Sequence, residues 1–284
     1  MKTLLITGAS GFTGQHLIPA ATKAGWHCIG LNADLTDAVS VTEEVARAAP
    51  DAAVHLAAVS YVAHADAAQI YAVNVVGTLN LLDALSHLPK KPSVVCLSSS
   101  STVYGNCIET PIAESQAPAP NSHYSASKLV MEHLSRNYAG ELPLLFLRFF
   151  SYTGPGHSDQ FVIPKLVDHF ARRADSIELG NLDVEREFND VRMVVEAYLR
   201  LLKRPGEGEV LNVCSGRPIA LRAAIDALTR LTGHTMQVVV NPLFVRANEI
   251  RSSCGDPGRL HGVIGQLPIF ALDDTLSWML SEHR

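Results

Sequence analysis

Along the first half of the chain, short apolar runs alternate with segments of helical period. "TLLITG" (Thr3 to Gly8), "WHCIGLN", "DAAVHLAA", "SVVCLSSS" and "PLLFLRFF" read as strands. Between them "GQHLIPAATKAG", "DAVSVTEEVARAAP", "NVVGTLNLLDALSHL" (Asn74 to Leu88) and "SASKLVMEHLSRNYA" read as helices. Strands that are apolar at nearly every position are buried on both faces, so the pattern predicts a doubly wound α/β fold, a parallel sheet with helices on each side. Pro19 falls inside the first helix, which it should kink or shorten.

After Ser151 the pattern changes. "SYTGPGHSDQ" reads as a loop, followed by helices in "FVIPKLVDHFARRA", "EREFNDVRMVVEAYLRLLK" and "IALRAAIDALTRLTG", and a last helix from Leu272. "VLNVCSG" again has the character of a parallel strand. The expected organisation is a dinucleotide-binding domain over residues 1–150, with return segments near 185–215, and a smaller substrate-binding lobe over most of 151–284.

The first strand runs into "TGASGFTG", with Gly8, Gly11 and Gly14 opening a helix. Glycine permits the tight turn and lets backbone approach a pyrophosphate at the helix N-terminus, the arrangement of a Rossmann domain. Only Asn32 and Ala33 separate the second strand from Asp34, too few for a parallel crossover. The domain therefore reads as truncated after its second strand. Asp34 either holds the adenosine ribose or, with Leu35, touches the adenine; the second role is preferred. The end of the second strand, Leu31-Asn32, carries neither an acid for NAD nor an arginine for a 2′-phosphate, which leaves NAD(H) versus NADP(H) open.

"LSSSSTVYG" ends the fourth strand some two dozen residues before Tyr124, and Lys128 follows Tyr124 by one helical turn. Alone, the Tyr–Lys pair fits a surface helix. After a serine-rich strand end it fits ketone reduction, which needs hydride at carbon and a proton at oxygen. An ammonium beside the phenol is expected to bring its pKa down toward neutrality, while a serine hydroxyl positions the carbonyl.

Composition narrows the alternatives. A net charge of −5 over 284 residues offers no basic field for nucleic acid or an anionic membrane. The apolar run at Leu4–Ile6 is too short for a signal peptide or membrane span. Five scattered cysteines (Cys28, Cys96, Cys107, Cys214 and Cys254) with no CxxC indicate reduced thiols in a cytoplasm and no zinc site.

These motifs, "TGASGFTG", "HLAA", "NVVGT", "SSSSTVYG", "YSASK" and "GPG", resemble the extended short-chain dehydrogenase/reductases that act on nucleotide sugars, from end to end of the chain. The resemblance implies that Tyr124 is the acid/base, with Lys128 as its partner and Ser100 as the hydroxyl. It implies a cofactor groove lined by Gly8, Gly11, Phe12, Thr13, Gly14, Asn32, Asp34, Leu35, Leu56, Ala57, Ala58, Asn74 and Ser98, with Tyr124 and Lys128. His55 reads instead as a satisfied core histidine. Members commonly dimerise through two helices per subunit, here Asn74–Leu88 and Ser125–Ala139.

Nucleotide-sugar dehydratases carry acidic residues just after the serine, where this chain has Ser101, Thr102 and Val103, so dehydration is disfavoured. "GPGHSDQFVIPK", "LGNLDVEREFNDV", "VLNVCSG" and "NPLFVRANEI" resemble the GDP-4-keto-6-deoxy-D-mannose reductases. That likeness implies NAD(P)H-dependent reduction of the 4-keto group of a GDP-linked 6-deoxyhexose. Arg186 and Arg246 would clamp the diphosphate, Glu249 would contact the sugar-nucleotide side, and Val162 and Lys165 would lie near the base. Ser60 and Thr102 would face the hexose, and Ser151 stands where the family has asparagine. "SSSSTVYG" is closer to UDP-sugar 4-epimerases, so an epimerase with retained NAD is the second reading. A non-catalytic dinucleotide sensor is the third.

Overall fold

The computed structural model describes residues 1–60, 66–107, 109–244 and 252–283. The first half comprises β1 (Lys2–Thr7), α1 (Phe12–Lys23), β2 (Trp26–Leu31), α2 (Ala38–Ala48), β3 (Ala52–His55), α3 (Ala67–Tyr71) and α4 (Thr78–Ser86), followed by β4 (Val95–Ser100), α5 (His123–Ser135) and β5 (Leu144–Phe149). The second comprises β6 (Tyr152–Thr153), α6 (Val162–Ala171), β7 (Ser176–Leu179), β8 (Glu185–Arg186), β9 (Asn189–Asp190), α7 (Val191–Leu201) and β10 (Val210–Val213). β11 (Ile219–Ala220), α8 (Leu221–Thr232), β12 (Gln237–Val240), β13 (Ser252–Ser253), α9 (Gly258–Ile264) and α10 (Leu272–Ser281) follow.

Six strands form the main sheet in the order β10-β5-β4-β3-β1-β2, all parallel. Side chains alternate across it. Leu4, Ile6, Val54, Cys96, Leu145 and Leu147 enter a core against α1, α7 and α9, whereas Leu5, Ala53, Val95, Leu97, Leu144 and Phe146 enter one against α2, α4 and α5. Each strand is thus apolar at consecutive positions because it faces two cores, and the doubly wound arrangement is as expected.

β2 leads through Asn32–Asp37 into α2, and the chain re-enters the sheet as β3 on the far side of β1. A full doubly wound sheet places a further strand outside β2. Here β2 is the edge, which is the predicted truncation. Two local expectations are corrected. Pro19 does not shorten α1, which runs on to Lys23; its ring nitrogen merely withholds one helical hydrogen bond from the Gln15 carbonyl. The helix expected to start at Asn74 starts at Ala67, capped by the Asp66 side chain on the Ala68 N–H at 3.0 Å. It passes through a π-helical turn at Ala72–Gly77 before α4. Gly77 is needed there, since a Cβ would lie 2.7 Å from Leu35 Cβ.

A further core forms from α6, α8, α10, β7 and β12, filled by Ile163, Leu166, Phe170, Leu228, Leu276 and Met279. α7 returns to pack on α1, and β10 extends the main sheet beside β5.

Beneath the carboxyl end of β4 lies a buried ion pair. Arg148 of β5 donates through Nε to Glu132 Oε1 at 2.9 Å and through Nη2 to Oε2 at 2.6 Å. The Ser99 hydroxyl also donates to Glu132. Replacing Arg148 with methionine strands this carboxylate in the core. We expect a loss of about 3–5 kcal/mol of stability, most of it recovered when Glu132→Leu is added. Urea unfolding of the single and double variants checks this.

Candidate active site

β4 delivers three consecutive serines to the carboxyl edge of the sheet. The Ser100 hydroxyl accepts from the Thr102 backbone N–H at 3.2 Å and from the Thr102 hydroxyl at 2.9 Å, starting a 3-10 turn over Ser101–Tyr104. Opposite, Ser122 opens α5 with a reciprocal cap: its hydroxyl accepts from the Ser125 N–H at 3.2 Å, and its own N–H donates to Ser125 Oγ at 3.0 Å. That cap fixes Tyr124 in the first turn of α5 and Lys128 one turn on.

The structure brings the three expected catalytic side chains together. The Ser100 hydroxyl lies close enough to the Tyr124 phenol to favour its ionised form. Lys128 Nζ donates to the Ser98 carbonyl at 2.7 Å. Electrostatically the outcome differs from expectation. Burial pushes the Tyr124 phenol up to about 12, against the lowering effect of the Ser100 hydroxyl. Burial also lowers Lys128 to about 8, against the opposing effect of Glu132. The Lys128 ammonium is held by the Ser98 carbonyl, and burial, with Tyr152 nearby, sets the direction of the Tyr124 shift.

The glycine loop follows β1. Gly8 adopts φ +65, and a Cβ there would sit 2.8 Å from the Ala57 nitrogen, so the loop lies directly against the "HLAA" segment. A Cβ on Gly14 would come within 2.3 Å of the Ala9 carbonyl oxygen, so this glycine closes helix onto loop. No side chain caps the N-terminus of α1 at Gly11. Phe12 and Thr13 point elsewhere: Phe12 stacks on His157 (centroids 4.4 Å, interplanar angle 13°), and the Thr13 hydroxyl pairs with the Tyr152 hydroxyl at 2.7 Å.

Several expected cofactor residues act first on the protein itself. Asn74 accepts from the Val59 N–H at 2.8 Å and donates to the Val59 carbonyl at 3.2 Å and the Ser127 hydroxyl at 3.0 Å, fixing the loop after β3 to α5. Leu35 is buried under α4, and Asp34 accepts from Thr36. The Ser98 hydroxyl pairs with Tyr198 at 2.8 Å. Leu56 and Ala57 are joined to Thr7 through its carbonyl and its hydroxyl respectively, and Ala58 follows, partly buried.

Of the expected substrate set, Thr102 hydrogen-bonds Ser100 through both its backbone N–H and its hydroxyl. Ser60 and Ser151 are exposed, and the Ser151 carbonyl accepts from the Asn189 N–H at 3.0 Å. Val162 and Lys165 begin α6; Lys165 Nζ donates to the Glu178 carbonyl at 3.1 Å and sits 5.6 Å from the Phe244 ring. Arg186 in β8 donates to the Glu185 carbonyl at 2.7 Å. Arg246 and Glu249 lie outside the described residues. Among the described residues no group of three His, Cys, Asp or Glu is arranged to hold a metal.

Sequence reasoning missed Tyr152, Tyr198, Glu132 and Arg148. Glu132 had a signal, since it continues the Tyr124–Lys128 stripe by one more turn. The tyrosines had none.

A family model described as the NAD dependent epimerase/dehydratase family matches residues 4–214. The chain belongs to that family. A relative from Aggregatibacter actinomycetemcomitans, GDP-6-deoxy-D-talose 4-dehydrogenase, is 35% identical over 92% of this chain and 91% of its own length. GDP-6-deoxy-D-mannose reductase from Pseudomonas aeruginosa is 35% identical over 99% of this chain and 97% of its own. Among solved structures, a Burkholderia cenocepacia protein provisionally described as an epimerase is 42% identical with a TM-score of 0.94, covering 99% of this chain and 97% of that one. RMD from Pseudomonas aeruginosa complexed with NADPH is 34% identical with a TM-score of 0.91, at the same coverages. The glycine cradle and the uncapped start of α1 fit the dinucleotide that gives the epimerase/dehydratase family its description.

His55 in this fold is a satisfied core residue. Nδ1 pairs with the Thr7 hydroxyl at 2.7 Å and Nε2 with the Thr78 hydroxyl at 2.8 Å. Burial lowers its pKa from 6.5 to about 3. Between those values the unfolded chain binds a proton that the folded one refuses. Stability is therefore fully present above pH 6.5 and falls as the pH drops toward 3, by up to about 1.4 kcal/mol per pH unit from this residue. Urea unfolding from pH 7.5 down to 4.5 should show the slope, and His55→Gln should lower the plateau and flatten the slope by one proton.

Proposed function

We propose that the protein reduces the 4-keto group of a GDP-linked 6-deoxyhexose to the alcohol, using NADH or NADPH. The observation that carries the reading is the set of Ser100 at the end of β4 with Tyr124 and Lys128 one turn apart on α5, Lys128 being buried with its Nζ on the Ser98 carbonyl.

A bound dinucleotide supplies hydride to the carbonyl carbon. Ser100 donates to the carbonyl oxygen and fixes its direction toward Tyr124, which transfers its proton as negative charge develops there. Lys128, held from below by the Ser98 carbonyl, stabilises the phenolate left behind. Within this reading Gly8, Gly11 and Gly14, with the backbone N–H groups of Phe12 and Thr13, carry the pyrophosphate, and Asn32, Asp34 and Leu35 border the adenosine. Arg186 and Arg246 hold the diphosphate, Val162 and Lys165 border the base, Ser60, Thr102 and Ser151 face the hexose, and Glu249 contacts the sugar-nucleotide side. The two GDP-6-deoxyhexose relatives support this substrate class, one being named as a 4-dehydrogenase and the other as a reductase. The turn after β4 presents Ser101, Thr102 and Val103, which offer no acid for dehydration. The five free cysteines favour the cytoplasm.

The 4-epimerase reading is favoured by the description of the Burkholderia relative. The two readings differ in the fate of the hydride, which an epimerase returns to the same sugar and a reductase takes from a dinucleotide that must be replaced at each turnover. With GDP-4-keto-6-deoxy-D-mannose, turnover should consume one NAD(P)H per product. Turnover by purified protein with no added reductant would establish the epimerase instead. Tyr124→Phe should lower kcat by about 10²–10⁴-fold while leaving dinucleotide affinity within about threefold; retained activity would remove Tyr124 from the chemistry.

We also infer a homodimer through the α4–α5 face. Val76, Val130 and Leu134 are exposed there, at 49, 37 and 38%. Helices with apolar residues outside their own core are covered by something. Val130→Asp with Leu134→Asp should halve the mass measured by light scattering and leave the far-UV circular dichroism unchanged; a wild-type protein of monomer mass removes the dimer.

A further inference from the structure

Because the fold is truncated, β2 is the open edge of the sheet. Glu44 of α2 reaches across so that its carboxylate accepts the Asn32 backbone N–H at 2.9 Å. Beside it is a shallow cavity of about 190 Å³, lined by Gly30, Asn32, Glu44 and Arg47 among others. The end of β2 is where a dinucleotide-binding domain meets the adenosine ribose, with a carboxylate for a 2′-hydroxyl or an arginine for a 2′-phosphate. The glycine cradle at Gly8 lies next to this end, since a Cβ on Gly30 would meet the Ala9 side chain at 2.8 Å.

We propose that the protein prefers NAD(H) over NADP(H), and that Glu44, fixed on the Asn32 backbone, makes the choice. The proposal rests on the dinucleotide reading above. Asn32 offers a neutral amide at the ribose position, suited to a hydroxyl. Glu44 places a carboxylate on the same backbone group, and the connection from Asn32 to Asp37 adds Asp34 and Asp37 without a single basic residue. Both aspartates stay ionised, because Asp34 accepts from the Thr36 N–H and hydroxyl and Asp37 from the Ser40 hydroxyl and N–H. A 2′-phosphate, with a charge near −2, would enter among three carboxylates. Among the described residues Arg47 is the one cation bordering this cavity. It stands one helical turn farther along α2, about 4.5 Å down the axis from Glu44, which is the side chain fixed to the end of β2 by its bond to the Asn32 N–H.

The test is direct binding, independent of catalysis: calorimetric titration of the purified full chain with NADH and with NADPH, after removal of any carried-over nucleotide. NADH should bind about tenfold tighter or more. Glu44→Gln should narrow the ratio about threefold or more, and Glu44→Arg should invert it, with thermal melting confirming that both variants fold. NADPH binding as tightly as NADH, or a ratio unmoved in both variants, overturns the proposal and leaves the functional reading standing. Binding of neither dinucleotide overturns both.

Discussion

The site depends on one buried ammonium. Lys128 is 3% exposed, with its Nζ on the Ser98 carbonyl. A lone charge in such surroundings would shed its proton or pull out to water. Lys128 keeps its place because α5 carries Glu132 one turn further on and β5 brings Arg148 to Glu132 in a two-pronged pair. Cation, anion and cation lie along one helix stripe and the two strands beneath it. Each charge is tolerated because the next one is there, so the buried lysine is as much a product of Arg148 as of its own position in the sequence.

Burial acts on the phenol and the amine with opposite sign in pKa and identical sense in charge, because it favours the neutral form of each. It lifts Tyr124 to about 12 and drops Lys128 to about 8. The phenol is left as a weak acid whose conjugate base is poorly stabilised until charge develops on a substrate oxygen. In the proposed reduction Ser100 and Lys128 act mainly on that developing charge. Such stabilisation, stronger in the transition state than in the ground state, is what raises a chemical rate.

Much of this was legible in the chain. The two-core sheet could be read because Leu4-Leu5-Ile6 or Leu144 to Leu147 leave no polar face. The truncation could be read by counting, since no crossover fits between Leu31 and Asp34. Tyr124 and Lys128 could be found because one helical turn relates them. What stayed hidden depends on distant partners. The Ser98–Tyr198 and Thr13–Tyr152 hydroxyl pairs join residues 100 and 139 positions apart. The π turn at Ala72–Gly77 was hidden for a different reason, since over six residues its apolar spacing matches that of an ordinary helix. The glycine motif disclosed a backbone shape but not the directions of the Phe12 and Thr13 side chains, which point to the loop after β5.

The main sheet and the further core must also hold a fixed relation, and a buried carboxylate supplies part of it. Glu187, 1% exposed, accepts from Asn189 Nδ2 at 2.9 Å, the Ser215 N–H at 2.7 Å and hydroxyl at 3.1 Å, and the Gly255 N–H at 2.7 Å. Four donors satisfy it without a cation. They come from the strand after Arg186, from the exit of β10 in the main sheet, and from the segment leading to α9. The carboxylate thus ties the segment after β8 to the exit of β10 and to the segment before α9. Apolar packing of α7, α9 and Trp278 of α10 against the main sheet's core joins the same parts, and the hydrogen bonds to Glu187 add a sharper constraint on distance than that packing does.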